Sequence, residues 1–465
     1  MSSSSLATTG WPDSAASRKP ETDFDADALA VALRQLRGGE LAGRYSVAWS
    51  GGVDSTALLH GLLELGAVHP GMALRALHVE HGLHVDAPRW ARHCRTKAAE
   101  LGVALEVLRV QVVTNGRGPE AAARQARYAA LESRLAPGEC LLTAHHLDDQ
   151  AETVLLQLLR GAGPRGLSGM PAARPFGAGV HLRPLLGFGR DAIHAYACRA
   201  RLEWLEDPAN EDERFARSYL RRKVMPALRA RWPRASRSIS RAARHQAAAA
   251  ALVEGAAAQA AGPLIEGECL RADGLAGLEA PLQHAVLCHW IRSRGFPLPG
   301  SARIATILDD VLHCRADAAP LVSWPGAELR RYRRRLYLLA PLEPLIPPCQ
   351  PAWRTDRPFE LPADLGSLRA VPAIGAGIRA VDVLRVAFRA GGEHIRPVGA
   401  AHAKSLKKLL QESAIVPWMR GRVPLVYAPG GGLAAVADLW YEQANAARPG
   451  EAGLRIEWRD HPPLY

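Results

Sequence analysis

Ser50-Gly51-Gly52-Val53-Asp54-Ser55 joins an apolar strand, Arg44–Ser50 (RYSVAWS), to a helical pattern, Ser55–Leu65 (STALLHGLLEL). Two consecutive glycines let the backbone turn sharply and approach a ligand without side-chain interference. The amides of such a turn and of the helix it opens point outward and form an anion site, which phosphates suit. Ser50 and Ser55 add hydroxyl donors. Asp54 adds negative charge, which a plain phosphate cradle does not want; a Mg²⁺ ion shared between this carboxylate and phosphate oxygens resolves the conflict. No Gly-Lys-Ser/Thr follows, so the loop is not a Walker A motif.

Outward from the loop, short apolar runs alternate with helical periodicity. Strands are predicted at Ala73–Val79, Ala104–Val110 and Cys140–Ala144, and helices at Pro88–Leu101, Pro119–Leu135 and Asp148–Arg160. Strands separated by helices of ~10–15 residues mean a parallel sheet with right-handed crossovers, whose ligands bind beyond the carboxyl ends of the strands. Leu29, Leu33 and Leu36 mark an amphipathic helix over 26–43, preceded by a Ser/Ala/Thr-rich tail, 1–25, expected to be disordered. The α/β pattern ends after Leu205. The expected organisation is a catalytic domain over 26–225, a helical domain over 226–340, a Pro-rich linker over 341–362 and a mixed α/β module over 363–465.

Composition narrows the partners. The 465 residues include 58 Lys+Arg and 46 Asp+Glu, a formal charge of +12. That excess points to an anionic partner. No apolar run approaches the ~18 residues of a membrane span. The first residues lack a basic start followed by an apolar core, so a cytosolic protein without membrane contact is expected. The seven cysteines contain no Cys-x-x-Cys, which argues against a zinc knuckle or an iron–sulfur ligand set and for reduced thiols. The segment 214–244 carries 11 basic residues and no acid, with Phe215, Tyr219 and Trp232 among them. A second basic cluster, Arg330–Arg335 (RRYRRR), is expected in a helical region.

Four further blocks carry chemical side chains. The second strand ends in His78-Val79-Glu80-His81, two metal-type residues without a nearby third. Arg124, Arg127 and Tyr128 share one end of a helix. Thr143-Ala144-His145-His146-Leu147-Asp148-Asp149-Gln150-Ala151-Glu152 runs from a strand end into a helix and crowds three carboxylates into its first turns. A helix N-terminus welcomes some negative charge, but three acids call for a cation, either Mg²⁺ or a substrate ammonium. The Gly-rich stretch Arg160–Met170 follows as a helix cap and loop.

SGGVDS resembles the PP-loop of the ATP pyrophosphatases, which cleave ATP between its α- and β-phosphates. Taken in order, the four blocks resemble the bacterial tRNA(Ile)-lysidine synthetases. The likeness continues through Trp204–Asn210, Arg217-Ser218-Tyr219-Leu220-Arg221, Lys404–Gln411, Pro417-Trp418 and Arg422–Leu425. It covers roughly 26–245 and 390–445, and departs at Ser218, where the family has Asn.

The resemblance implies a Rossmann-like PP-loop ATPase domain, of the adenine nucleotide alpha hydrolase kind, followed by a helical and a small C-terminal domain. It implies a ligase that uses ATP and Mg²⁺ to adenylate the wobble cytidine of an isoleucine tRNA with a CAU anticodon. The ε-amine of L-lysine then displaces AMP. On that reading Ser50, Gly51, Gly52, Val53, Asp54 and Ser55 bind ATP, with Asp54 on the metal. Arg124 or Arg127 stabilises the adenylate, Asp149 and Glu152 hold the lysine ammonium, Arg217 holds its carboxylate, and His146 positions the reactants. Arg221, Arg222, Lys223, Lys404, Lys407 and Lys408 contact tRNA, and no protein partner is expected. The rival readings are a tRNA 2-thiolation enzyme, an amide synthetase of the same class and a non-catalytic tRNA-binding protein.

Overall fold

In a computed structural model, residues 23–80, 82, 86–112, 119–206, 212–315, 318–345 and 352–465 are described. The expected tail before 23, His81, Asp207–Asn210 and part of the expected linker (346–351) lie outside them. The chain divides into two compact units, 1–252 and 253–465.

The first unit opens with helix α1 (Ala26–Arg37). This helix stops short of the expected end because Gly38 takes a left-handed conformation (φ 70°) and caps it. There follow β1 (Gly43–Ala48), α2 (Val53–Val68), β2 (Met72–Glu80), α3 (Ala87–Leu101), β3 (Ala104–Arg109), α4 (Pro119–Ser133), β4 (Cys140–Leu142) and α5 (Leu147–Leu159). All the expected strands and helices of this stretch are present; only their ends differ. A one-turn helix α6 (Pro164–Leu167) leads to the hairpin β5 (Ala173–Phe176) and β6 (Gly179–Leu182), then to α7 (Arg190–Arg199).

The six strands lie in the order β3-β2-β1-β4-β6-β5, parallel except for the edge strand β5. One face of the central strand β1 is apolar: Tyr45, Val47 and Trp49 pack against Leu58, Leu59 and Leu62 of α2, all essentially buried, while Ser46 on the other face donates to Glu139. Strand order reverses between β1 and β4, so the loops leaving these two strands diverge and open a crevice between them. SGGVDS leaves β1, and the His-His-acid block leaves β4. Beyond the sheet, α8 (Ala216–Tyr219) continues through a π-helical turn (Leu220–Val224) into α9 (Met225–Arg231), and α10 (Ala235–Ala261) is a long helix that crosses the unit boundary.

The first part of the second unit has the expected helices and, beside them, a sheet. Helices α11 (Ala272–Ala276), α12 (Ala280–Ser293) and α13 (Ser301–Thr306) pack with an antiparallel sheet of β7 (Ile265–Glu266), β8 (Cys269–Arg271), β9 (Leu321–Trp324), β10 (Ala327–Tyr332) and β11 (Arg335–Leu339). The RRYRRR cluster, expected in a helical region, forms the β10–β11 hairpin, with Arg333 at its turn (φ 58°). Leu329, Leu336 and Leu338 supply the buried side of the hairpin. Arginines whose stems lie along the sheet hid that period-two pattern in the sequence. The last hundred residues are mainly antiparallel β, in sheets of five and four strands with one helix, Leu406–Glu412. Two stretches of the Pro-rich segment expected as linker, Ala352–Arg354 and Phe359–Glu360, are strands, and Trp353 is buried in the core. The six described cysteines are free thiols, and no described helix is long and apolar enough to cross a membrane.

Candidate active site

The glycine loop holds its shape through its own serines. Ser55 Oγ donates to Gly52 O (3.0 Å), accepts from the Ser50 amide (3.2 Å) and lies 3.0 Å from Ser50 Oγ. Gly51 has φ 86°, and a Cβ there would sit 3.1 Å from both Cys94 Sγ and Leu205 Cδ1, while Gly51 O accepts from Leu205 N (2.8 Å). Only glycine fits that position. Gly52 caps α2 without a side-chain hydrogen bond, so the amides of the first turn, Val53 included, are left for a ligand. His78, read as half of a possible metal pair, instead lies against Trp49 O (Nδ1 at 2.9 Å) and supports the strand end below the loop.

Facing the loop, α5 begins with a capping box. The His146 amide donates to Asp149 Oδ2 (3.1 Å), and the Asp149 amide donates to His146 Nδ1 (3.4 Å). Nδ1 is therefore an acceptor, and the ring proton of neutral His146 is on Nε2. That atom lies 3.4 Å from Asp149 Oδ2 and 3.7 Å from Asp54 Oδ2, so the buried imidazole bridges the acid of the glycine loop and the acid of α5.

Arg217 and Arg221, four residues apart on the segment that contains the π-turn, reach into the same acids. Arg217 Nε donates to Glu152 Oε2 (3.0 Å), and its NH2 to Asp149 O and Thr153 Oγ1 (3.0 Å each). Arg221 donates to both Glu152 oxygens (2.8 and 2.9 Å) and to Asp149 Oδ1 (3.0 Å). Burial works to raise the Asp149 carboxyl, but His146, Arg217, His145 and Arg221 overcome it and hold the group at about 2. Asp54 moves the other way: burial lifts it above the ordinary carboxylate value, and His146 offsets only part of this. Its Oδ1 is buried without a hydrogen-bond partner. Arg217 and Arg221 match Asp149 and Glu152, whereas Asp54 has no arginine ion pair among the described residues.

That orphaned oxygen tests the fit of Mg²⁺. Among the described residues no cluster of three or more His, Cys, Asp or Glu could cage a metal alone. Mg²⁺ ordinarily takes one or two carboxylates and completes its shell with water and substrate phosphates, so a single free carboxylate oxygen beside an anion loop suits it.

The third acid of the block is structural. Asp148 Oδ1 accepts from Ser236 Oγ (2.6 Å) and from Arg229, and its Oδ2 accepts from the Arg190 amide (2.9 Å). One carboxylate thus ties α5 to the start of α7, to α9 and to α10. The Gly-rich stretch is structural too: Gly161 (φ 69°) follows α5, and the Gln150 amide group exchanges hydrogen bonds with the Met170 backbone (3.0 and 2.7 Å).

Arg124 and Arg127 both lie against Tyr128, their guanidinium carbons 5.0 and 5.6 Å from its ring centre. Arg174 approaches the same ring (5.8 Å). Sequence reading had not singled out Arg174, Arg183 or His181; their signal was the position of His181 and Arg183 at the carboxyl end of β6, beside β4.

Several residues expected to contact tRNA form ion pairs within the protein. Arg221 is turned into the acid cluster. Arg222 and Lys223 lie 3.4 Å from Glu213, Arg214 pairs with Asp212 (2.6 Å), and Arg229 with Asp148. Six of the eleven cations of the run 214–244 thus pair with acids from outside it, whereas Arg231, Arg234, Arg237 and Arg241 have no ion pair among the described residues. In the RRYRRR hairpin, Arg330 binds Glu328 (2.8 Å), Arg331 donates to Val311 and Leu312 carbonyls, and Arg335 binds Glu266 (2.9 Å). Near the C-terminus, Lys404 and Lys408 approach Glu412 (3.1 and 4.0 Å), and Lys407 has no ion pair among the described residues.

A parallel sheet with an uncapped glycine loop at its switch point, facing an acidic helix start, defines a PP-loop nucleotide-binding protein. In agreement, residues 27–228 match the PP-loop domain family, 270–337 the TilS substrate binding domain and 384–458 the TilS substrate C-terminal domain. The tRNA(Ile)-lysidine synthase of Methylococcus capsulatus is 39% identical over 439 residues, covering 92% of this chain and 100% of that protein. That of Alkalilimnicola ehrlichii is 42% identical over 449 residues, covering 96% and 99%. That of Coxiella burnetii is 41% identical over 422 residues, covering 89% and 92%. The chain belongs to the tRNA(Ile)-lysidine synthase family.

Proposed function

We propose that this enzyme joins L-lysine to C2 of the wobble cytidine in the CAU anticodon of isoleucine tRNA, consuming ATP and releasing pyrophosphate and AMP. The observation that carries this reading is the pairing, across one crevice, of an uncapped anion loop with the acid cluster at the start of α5. The first takes the triphosphate and the second takes a cationic amino acid.

In the adenylation step the amides of residues 51–55 hold the departing pyrophosphate, and preorganised donors favour the charge that develops there. Mg²⁺ on Asp54, when bound, supplies further neutralisation of the phosphates. Arg124 and Arg127 stand on the side of His145 and Arg217, where the adenylated base is expected. Asp149, held at about 2, stays ionised and serves as an ammonium ligand rather than a proton acceptor. Glu152 is saturated by Arg217 and Arg221, so its part is to aim those guanidiniums; Arg217 then meets the lysine carboxylate. His146 is engaged at both nitrogens, and its part is to hold Asp54 and Asp149 in register. The unpaired Arg231, Arg234, Arg237 and Arg241, with Lys407, supply phosphate contacts for the tRNA. A tRNA substrate fits an enzyme of the cytoplasm.

The test is incubation with ATP, labelled lysine and total tRNA. Lysine label that appears in isoleucine tRNA only when ATP is present supports the reading. No incorporation, or transfer of sulfur in its place, rejects it.

A further inference from the structure

His145 is the member of the His-His pair without a role in the scheme above, and a buried chain of hydrogen bonds sets the state of its ring. The chain starts at His181, which is fully buried on β6. Its Nδ1 lies 3.3 Å from Arg183 NH2 and 3.4 Å from Arg174 Nε. A guanidinium nitrogen only donates, so Nδ1 of His181 accepts and its ring proton is on Nε2. Arg183 is itself pinned, because its NH1 donates to Pro171 O (2.6 Å). His181 Nε2 lies 2.8 Å from Thr143 Oγ1 and donates to it. The one hydroxyl proton of Thr143 then has a single acceptor within reach, His145 Nδ1 at 2.8 Å. His145 therefore accepts at Nδ1 and carries its proton on Nε2, and Nε2 makes no hydrogen bond to the described residues.

We propose that Thr143 and His181 are positioning residues that lock His145 as a neutral imidazole with Nε2–H directed at the substrate. His145 thereby donates a hydrogen bond to an electron-rich atom of the reacting nucleotide and does not take the proton from lysine. Both rings resist protonation: burial, with Arg183 and Arg174, pushes His181 down to about 2, and burial, against Asp149, holds His145 at about 3. The half-buried His145 feels the charges of Asp149, Arg183, Arg124 and Arg217, so its free donor lies in the neighbourhood of the acid assigned to lysine and the arginines assigned to the adenylate. A donor of fixed direction at that point acts as an oxyanion-type stabiliser, for which orientation matters as much as presence.

The inference rests on the reading of the site as a lysidine-forming one, and its test has an arm independent of activity. Nitrogen-15 NMR of the full chain labelled at histidine is expected to show His145 with a pyridine-type Nδ1 and a pyrrole-type Nε2, unchanged between pH 5 and 8. Protonated Nδ1, or titration in that range, overturns the proposal whatever the enzyme's activity. In single-turnover assays with tRNA, Thr143→Val is expected to lower the rate of lysine transfer roughly 100-fold, as misplacement of a reacting group does. Its ATP and lysine KM are expected to change less than about twofold, and Thr143→Ser, which restores the hydroxyl, to recover most of the rate. Equal rates for Thr143→Val and wild type, with unchanged melting temperatures, overturn the relay. If Thr143→Val does not fold, the wild-type spectrum and Thr143→Ser still decide it. Absence of lysine transfer by wild type rejects the function, and the spectrum alone then decides the relay.

Discussion

Asp148 and Asp149 are neighbours in the first turn of α5, yet they belong to different parts of the molecule. Asp148 has its needs met by the protein: Arg229, Ser236 and the Arg190 amide bind both oxygens, and they hold its carboxyl below the usual range against the opposing pull of burial. Asp149 shares its two arginines with Glu152 and points its other oxygen at a histidine that also faces Asp54. Asp54 in turn has an oxygen with no partner. A carboxylate that the fold satisfies completely is a staple. A carboxylate oxygen buried without a partner is costly until a ligand arrives, which is the ground for proposing a binding site there.

The sharpest way to break this contrast is to neutralise each acid in turn. Asp149→Asn is expected to reduce lysine transfer about 100-fold or more, with ATP KM little changed and the melting temperature near wild type, since preorganised charge is worth several kcal/mol in catalysis. Steady-state kinetics over lysine and ATP concentrations checks it; an unchanged lysine KM and kcat would remove Asp149 from the pocket. Asp148→Asn should do the reverse. It is expected to cost about 2 kcal/mol of stability, because Arg229 is part-exposed and keeps water as a partner, and to leave transfer at low temperature close to wild type. Urea denaturation followed by circular dichroism decides between the two patterns.

An acid titration gives a smaller effect. The Asp148 carboxyl is depressed in the folded protein, so its contribution is complete above its ordinary value of 3.8 and fades as pH falls below that. Glu139, held down by Arg75 and Ser46 against burial, behaves likewise below 4.5. Asp148→Asn is therefore expected to destabilise the protein at neutral pH and much less near pH 3. A destabilisation equal at both values would show that Asp148 is not ionised in its staple. The smallest effects concern the basic surface. Replacing Arg234 and Arg241 by Ala should weaken tRNA binding and reduce the slope of log affinity against log salt by about 2, whereas Arg335→Ala, which removes a partner of Glu266, should leave the slope unchanged. Filter binding across a salt series measures both.

The first half of the fold was legible because each strand and helix there announces itself locally, through apolar runs of the right length and glycine turns between them. The β10–β11 hairpin was not. Its identity rests on pairing with β8 and β9, and its arginines masked the alternation of Leu329, Leu336 and Leu338. In the candidate site, Ser50–Ser55, His146 and Asp149 were legible from the glycine turn, the His-His-acid block and the family resemblance together. Nothing near Arg221 in sequence reveals that its partners in the protein are Glu152 and Asp149. The pairing of 214–244 was hidden in the same way: counted locally the run has no acids, while in space Asp148, Asp149, Glu152, Asp212 and Glu213 meet six of its eleven cations.

By itself the sequence determined the glycine loop, the acid block that follows β4 and the parallel order that brings both to one edge, since turn chemistry and hydrophobic period act over a few residues. Only the tertiary structure decided which acids the protein satisfies and which keep an unpartnered oxygen, which arginines are paired within the protein, and how Thr143 and His181 hold His145. Charges and hydrogen bonds are settled by whatever lies within a few ångströms, and in a folded chain those neighbours come from segments far apart in sequence.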